Sequence, residues 1–311
     1  MGVGVIDSHC DALLKLWAHP KCSYSNSPNI DVNLERIQAG NIKVQLFAIF
    51  IEPFIKQNQK FQIVLEQIEI FHEKVLGSST KFRHIKKWSD INELKEGEIG
   101  AVLTLEGVDA IGDDLTKLSI LHQLGVISVG LTWNQANLCA DGVGEPRGAG
   151  LTIFGKDLVR LNNKHNVLTD VSHLSINGFW DVMELANYPI ASHSNARHLC
   201  DHPRNLYDDQ IQALVNKKGY IGLVFCPYFL TTKDRATIKD ILNHLDHMCS
   251  LGAEHHLGFG SDFDGISKYV VRLRHCGEYH YLVEELEKYY SATQVKRFLR
   301  GNFEKLVGRL T

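Results

Sequence analysis

The feature of this chain that most restricts its fold is a repeated alternation. Short β-branched runs are followed by longer stretches in which apolar residues recur every three or four positions. Eight strand candidates can be read: "VGVID" (3 to 7), "VQLFAIFI" (44 to 51), "AVLTLE" (101 to 106), "VISVGLT" (126 to 132), "VLTDVSH" (167 to 173), "PIASH" (189 to 193), "GYIGLVF" (219 to 225) and "HLGFGSD" (256 to 262). Between them lie amphipathic segments such as "KFQIVLEQIEIFHEKVL", "DLTKLSILHQL", "FGKDLVRLNNKH", "YDDQIQALVNKK" and "ATIKDILNHLDHMCSL". Alternation of this kind predicts successive βα units on a parallel sheet. Near-continuous apolar runs suit strands covered on both faces, and eight units predict an α/β fold closed into a (β/α)8 TIM-type barrel, with an open doubly wound sheet as the alternative.

No Pro/Ser-rich linker or low-complexity stretch interrupts the pattern, so residues 1–311 read as one domain, closed by the helical "YHYLVEELEKYY" and "SATQVKRFLRGNFEKLVGRL". A hydrophobic share of 44% and a charged share of 22% suit a soluble globular protein with a large core. The formal charge of -3, with basic residues spread along the chain, leaves no footprint for nucleic acid or an anionic membrane. A small-molecule partner is expected instead. "MGVGVIDSHC" lacks the basic flank and apolar core of a signal peptide, and no run approaches a membrane span, so a cytoplasmic location is expected. Seven scattered cysteines show neither CxxC spacing nor a disulfide framework and are expected to be reduced.

Residues of metal-ligand type recur where the expected strands end, the face that carries active sites in a barrel. His9 and Asp11 end strand one, Glu106 ends strand three, His173 strand five and His193 strand six, and Asp262 follows strand eight. Strand alternation lets His9 and Asp11, two apart, share a side, with Asp7 at the same parity further down and Cys10 facing away. A set like this suits a binuclear site with Glu106 as the bridging carboxylate. Imidazole and carboxylate donors without thiolates point to two zinc ions. Such a site is expected to share a water or hydroxide between its ions.

Six strings, in order, also carry a resemblance: "DSHCD" (7 to 11), "TLEG" (104 to 107), "DVSHLS" (170 to 175), "ASHSNAR" (191 to 197), "HPRN" (202 to 205) and "GFGSDFDG" (258 to 265). Together they resemble the membrane (renal) dipeptidase family, peptidase family M19 of the amidohydrolase superfamily, over nearly the whole chain. The resemblance implies a zinc-dependent dipeptidase whose ligands match His9, Asp11, Glu106, His173 and His193. It further implies Asp262 as proton shuttle, Arg204 as the clamp on the substrate's terminal carboxylate, and a homodimer. The sequence departs from mammalian members after strand four, where "LTWN" puts Trp133 in place of a histidine that contacts the substrate. Trp133 and Asn134 are therefore the substrate-contact candidates of that loop.

Two other readings stay open at this level. One is another amidohydrolase-type reaction, such as N-acyl amino acid hydrolysis; the other is a catalytically silent metal-binding barrel. The Gly-rich "WNQANLCADGVGEPRGAG" (133 to 150) is expected to be a lid or binding loop. Asp264 reads either as a residue behind the ligands or as one of the turn before Gly265. The histidine pairs 244/247 and 255/256 read as packed or solvated side chains, and Cys139 as an ordinary loop cysteine.

Overall fold

The computed structural model describes residues 3–310. Nine strands form a single parallel sheet: β1 (Val5–Asp7), β2 (Ile42–Phe50), β3 (Phe82–Ile85), β4 (Ile99–Glu106), β5 (Val126–Gly130), β6 (Leu168–Asp170), β7 (Pro189–Ala191), β8 (Tyr220–Leu223) and β9 (Leu257–Phe259). Their order is β2-β1-β9-β8-β7-β6-β5-β4, and β2 pairs again with β4 from Val44/Gly100 to Phe50/Glu106. That last pairing closes an eight-stranded barrel, and the open-sheet alternative is set aside. β3 stands outside the closure, paired with the first half of β4 beneath β5.

The eight expected strands are all present, several of them shortened to three or four residues. β3 was not anticipated: it is four residues long and two of them are not buried, so its apolar signal is weak. The helix Ile176–Leu185 was also unread, although Phe179, Val182 and Met183 give it a buried face. The remaining helices cover the sheet as their periodicity predicted. Side-chain caps start several of them, as where Thr152 accepts the Gly155 N–H and Ser175 the Gly178 N–H. Gly125, at φ +104°, ends the helix Leu115–Leu124 in the left-handed conformation and lets β5 begin at the next residue.

Two cores result. The larger lies between strands and covering helices; the smaller fills the lower barrel with Ile6, Val44, Leu46, Val102, Ile127, Leu168 and Ile190. The C-terminal helix Asn302–Val307 plugs that lower end, where the Phe303 ring meets Trp88 at 5.7 Å and Tyr220 at 5.0 Å. Above this layer the interior turns polar and narrow. Ser8 Oγ donates to the carbonyls of Ser192 (2.6 Å) and Phe259 (2.9 Å). Gly260 runs so close that a Cβ there would sit 1.9 Å from the Ser192 carbonyl oxygen.

Among the described residues no helix is long and apolar enough to cross a membrane. All seven cysteines are free. Phe303 is 1% exposed and holds the plug in place. Phe303→Ala is expected to lose about 3–5 kcal/mol of stability, measured by urea unfolding, and a loss near zero would show that the plug is dispensable.

Candidate metal centre

The strands stop short of the groups they deliver. β1 ends at Asp7, and His9 and Asp11 lie beyond it, Asp11 as the residue that precedes the helix Ala12–Ala18. The segments after β1 and β9 stay side by side: Asp262 N–H donates to the His9 carbonyl (3.1 Å) and Asp11 N–H to that of Phe263 (2.9 Å). Glu106 is the last residue of β4, while His173 and His193 follow β6 and β7 in tight turns. His173 (φ +69°), Asp262 (φ +64°) and Asp264 (φ +72°) adopt a left-handed backbone that L residues rarely take. A cost of order 1–3 kcal/mol each is tolerated where surrounding structure holds a functional geometry.

Five residues meet. Glu106 Oε1 lies 2.9 Å from His173 Nε2 and 3.6 Å from His193 Nε2, while its other oxygen lies 3.6 Å from His9 Nε2. His9 Nε2 in turn lies 3.4 Å from Asp11 Oδ2 and 3.9 Å from Asp262 Oδ1. The two oxygens of Glu106 therefore face different halves of the cluster. All six side chains named from the sequence converge, Asp262 among them as a third neighbour of His9 and Asp11.

The arrangement fits cations. Ser192 Oγ donates to Asp170 Oδ2, so it accepts from His193 Nδ1 at 2.7 Å. Asn134 Oδ1 lies 2.8 Å from His173 Nδ1 and accepts its proton. Both rings then present a bare Nε2, and these two atoms stand 2.9 Å apart beside a carboxylate oxygen. Three lone pairs aimed at one point repel unless positive charge sits among them. His9 Nε2 is buried and has no hydrogen-bond partner, the mark of an atom built for a metal.

The local charges agree. Burial alone would lower the His9 pKa, but Glu106, Asp11 and Asp262 overcome it and hold it at about 10. Burial, then the charges of Arg204 and His9, keep His173 and His193 well below the usual range and hence neutral, the form that binds metal. Burial raises Glu106 and Asp262, and Asp11 nearby adds to both. An excess of acidic charge gathers around His9.

A cavity of about 720 Å³ opens on this cluster, lined among others by Asp11, Glu106, Trp133, His173, Arg204 and Asp262. Arg204 is buried, donates from Nη2 to the His193 carbonyl (3.1 Å), leaves Nε without a partner, and has no carboxylate within 4 Å among the described residues. Trp133 packs on Phe50 (5.2 Å) and 6.0 Å from His173, forming a wall. The loop 133–150 is folded onto the site: Val143 N–H donates to the His173 carbonyl (2.7 Å), and Asp141 is ion-paired with Arg147.

Asp7, expected further down the strand, stays out of the cluster; its Oδ1 accepts from the backbone of Ser261 (2.9 Å) and His9 (3.3 Å), stapling β1 to the turn after β9. Alternation within strand one is thus not what joins His9 to Asp11, since the strand has already ended. Asn134 lines the cavity but also orients His173, a role sequence reasoning missed. Asp170 and Ser192 were missed too; they flank ligands in the quoted strings, yet nothing in one strand announces a hydrogen bond made across two. Asp264, readable from the sequence either as a residue behind the ligands or as one of the turn before Gly265, accepts from Asp31 and Val32 N–H and pairs with Lys15 at 3.1 Å. Cys10 and Cys139 are buried, as packing residues should be, and burial pushes the Cys139 thiol up to about 12.

The family model for membrane dipeptidase (peptidase family M19) matches residues 2–310. A dipeptidase of Aspergillus oryzae, aclJ, is 28% identical over 292 residues, covering 89% of this chain and 69% of its own length. A metallopeptidase of Rhodobacter sphaeroides, solved with a phosphinate mimic of L-Ala-D-Ala, superposes with a TM-score of 0.93 at 25% identity over 100% of both chains. A second solved dipeptidase of family M19 gives 0.92 at 26% identity over 99% of each.

Two outcomes are expected. Ser192→Ala should weaken metal affinity by about 10–100-fold, because partners that orient a ligand imidazole are worth that much; chelator competition measures it. Because His9 alone holds its proton up to about pH 10, zinc added to stripped protein at pH 7 should release protons, and affinity should fall as pH falls. Calorimetry in buffers of different ionisation enthalpy reads this, and identical heats in all of them would contradict it.

Proposed function

The chain belongs to the membrane dipeptidase family, peptidase family M19, and on that premise we propose that it hydrolyses dipeptides at two zinc ions held by His9, Asp11, Glu106, His173 and His193. The observation that carries this reading is the division of Glu106, with Oε1 toward His173 and His193 and Oε2 toward His9. A carboxylate so placed would help to hold both ions, with His9 and Asp11 completing one set of ligands and His173 and His193 the other. When bound, the pair supplies water activated near neutral pH and shared between the ions, together with a Lewis acid for the scissile carbonyl.

The chain's own groups do the rest. Asp262, a carboxylate whose affinity for a proton is raised by burial and by Asp11, would accept the proton of the attacking water. It then returns the proton to the departing amine, a transfer typically worth about 10² to 10⁴ in rate. Arg204 holds the substrate's terminal carboxylate. A buried guanidinium without an ion-pair partner fits that anion, and its planar fork binds both oxygens at once. Burial lowers its pKa, with Asp262 and Glu106 opposing, and a carboxylate ligand adds to that opposition. Trp133 closes one side and excludes water, while Asn134 keeps His173 turned inward.

A cavity of about 720 Å³ suits a two-residue peptide. The Rhodobacter sphaeroides relative was solved with an L-Ala-D-Ala mimic, which makes L,D as well as L,L dipeptides the substrates to screen, with N-acyl amino acids as the competing class.

Stripping with a chelator should abolish dipeptide hydrolysis and zinc should restore it; activity surviving full stripping would refute the metal role. Asp262→Asn should keep bound zinc and lose about 10² to 10⁴ in kcat, so near-normal turnover would remove Asp262 from the reaction. Arg204→Ala should raise KM for free dipeptides far more than for their C-terminal amides. Equal effects on both would show that the guanidinium does not read the carboxylate.

A further inference from the structure

Away from the barrel mouth, one more cluster of ligand-type side chains forms among the described residues: His198, Asp208 and His247. Its members come from three segments. His198 lies in the loop after β7, Asp208 begins the helix Asp208–Asn216, and His247 lies near the end of the helix Ile238–Ser250. One donor atom from each falls within 4.8 Å of the other two. We propose that this cluster is a second, separate metal site, which takes a divalent cation of the zinc class and clips the loop after β7 to the two helices.

The pair His247 Nε2–Asp208 Oδ1, at 2.8 Å, could by itself be a plain hydrogen bond. His198 is what that reading leaves over. Its ring stacks on His247 with centroids 4.6 Å apart and only 5° between planes, and neither of its nitrogens has a hydrogen-bond partner in the protein. An exposed imidazole needing only hydration has no reason to lie flat on a second imidazole beside a carboxylate. One nitrogen of each ring and one Asp208 carboxylate oxygen lie within 4.8 Å of one another, close enough to share an ion.

The surroundings admit a cation. Arg197, next in sequence, is turned away: its Nε meets Asp201 at 2.7 Å and its guanidinium lies over the Tyr207 ring at 4.5 Å. Two imidazoles and a carboxylate match zinc, with cobalt, nickel or copper(II) as close competitors. Bond lengths of about 2.0–2.2 Å require only a modest inward shift from the present spacing. Three protein ligands leave a position for water, and the half-exposed rim of the cluster supplies it. Coordination takes the place of the His247–Asp208 hydrogen bond, with the imidazole proton moving to Nδ1.

His244, one turn earlier on the same helix, does not join. It is committed on both sides, accepting from Ala196 N–H (3.1 Å) and donating to the Leu230 carbonyl (3.0 Å). His244 is thus the packed side chain that the sequence suggested, and His247 lies instead against His198, two residues beyond the point that His244 pins. An ion here would fasten the stretch that runs on to Arg204.

The test adds zinc alone to the holoenzyme, with the mouth already saturated, and counts bound metal by calorimetry. Wild type should take up one further equivalent and melt at a higher temperature in its presence. His198→Ala and Asp208→Asn, each checked for native circular dichroism, should lose that equivalent and the melting shift while keeping dipeptide hydrolysis. No further equivalent in wild type, or the same uptake and shift in both variants, overturns the proposal. The readout is a difference between wild type and variants, so it stands whatever the mouth itself holds.

Discussion

Charge taken out of water has to be balanced, and the upper half of this barrel is organised around that requirement. Asp11, Glu106 and Asp262 crowd around His9 with most of their surface covered. Isolated buried carboxylates are costly enough that they keep their protons or find a cation. The directions in which the side chains are pushed show both tendencies: the carboxyls of Glu106 and Asp262 are raised, His9 is raised, and burial keeps His173 and His193 neutral. On the proposed reading two zinc ions are the balance. The strands are short because the chain must leave the sheet early to bring these groups over the opening.

Neutral histidines are useful as ligands only if the correct nitrogen faces inward. The chain Asp170–Ser192–His193 settles that for one ring, since a hydroxyl that has given its only proton to a carboxylate can only accept from Nδ1. Asp170 also accepts the N–H groups of Ser172 and Ser192, so one carboxylate fixes the turns carrying both ligands. The narrow waist below serves the same end. Ser8 and Gly260 press against the Ser192 carbonyl, and the turn that holds His193 has nowhere to move.

Most of this was legible in the chain because two independent patterns coincide. Buried parallel strands must be apolar on both faces, which makes β2 and β4 stand out, and ligands must follow strands, which puts His9, Glu106, His173, His193 and Asp262 at readable places. What escaped lacks either signal. β3 is short and partly exposed, so it neither alternates clearly nor forms a continuous apolar run. The supporting contacts of Asn134, Asp170 and Ser192 join segments far apart in sequence, and side chains of those types are common in loops. His9 and Asp11 were placed correctly for an incomplete reason: the pairing of their backbone with residues 262 and 263 holds them, not the pleat of a strand.

On the proposed reading, the metal ligands and the substrate clamp are not independent parts. Arg204 donates to the carbonyl of His193, so the guanidinium is hung from the same residue whose imidazole faces Glu106. The intervening loop is held at Asn195, whose side chain both donates to and accepts from the backbone of Val224, and at Ala196 by His244. With both ends fixed to one short segment, the span between a bound carboxylate and the reacting carbonyl cannot stretch. A peptide extended on its C-terminal side would place an internal amide, not a carboxylate, at Arg204 and leave a buried charge uncompensated, a penalty of several kcal/mol in comparable cases. A free carboxylate one residue beyond the bond to be cut is therefore what this arrangement selects.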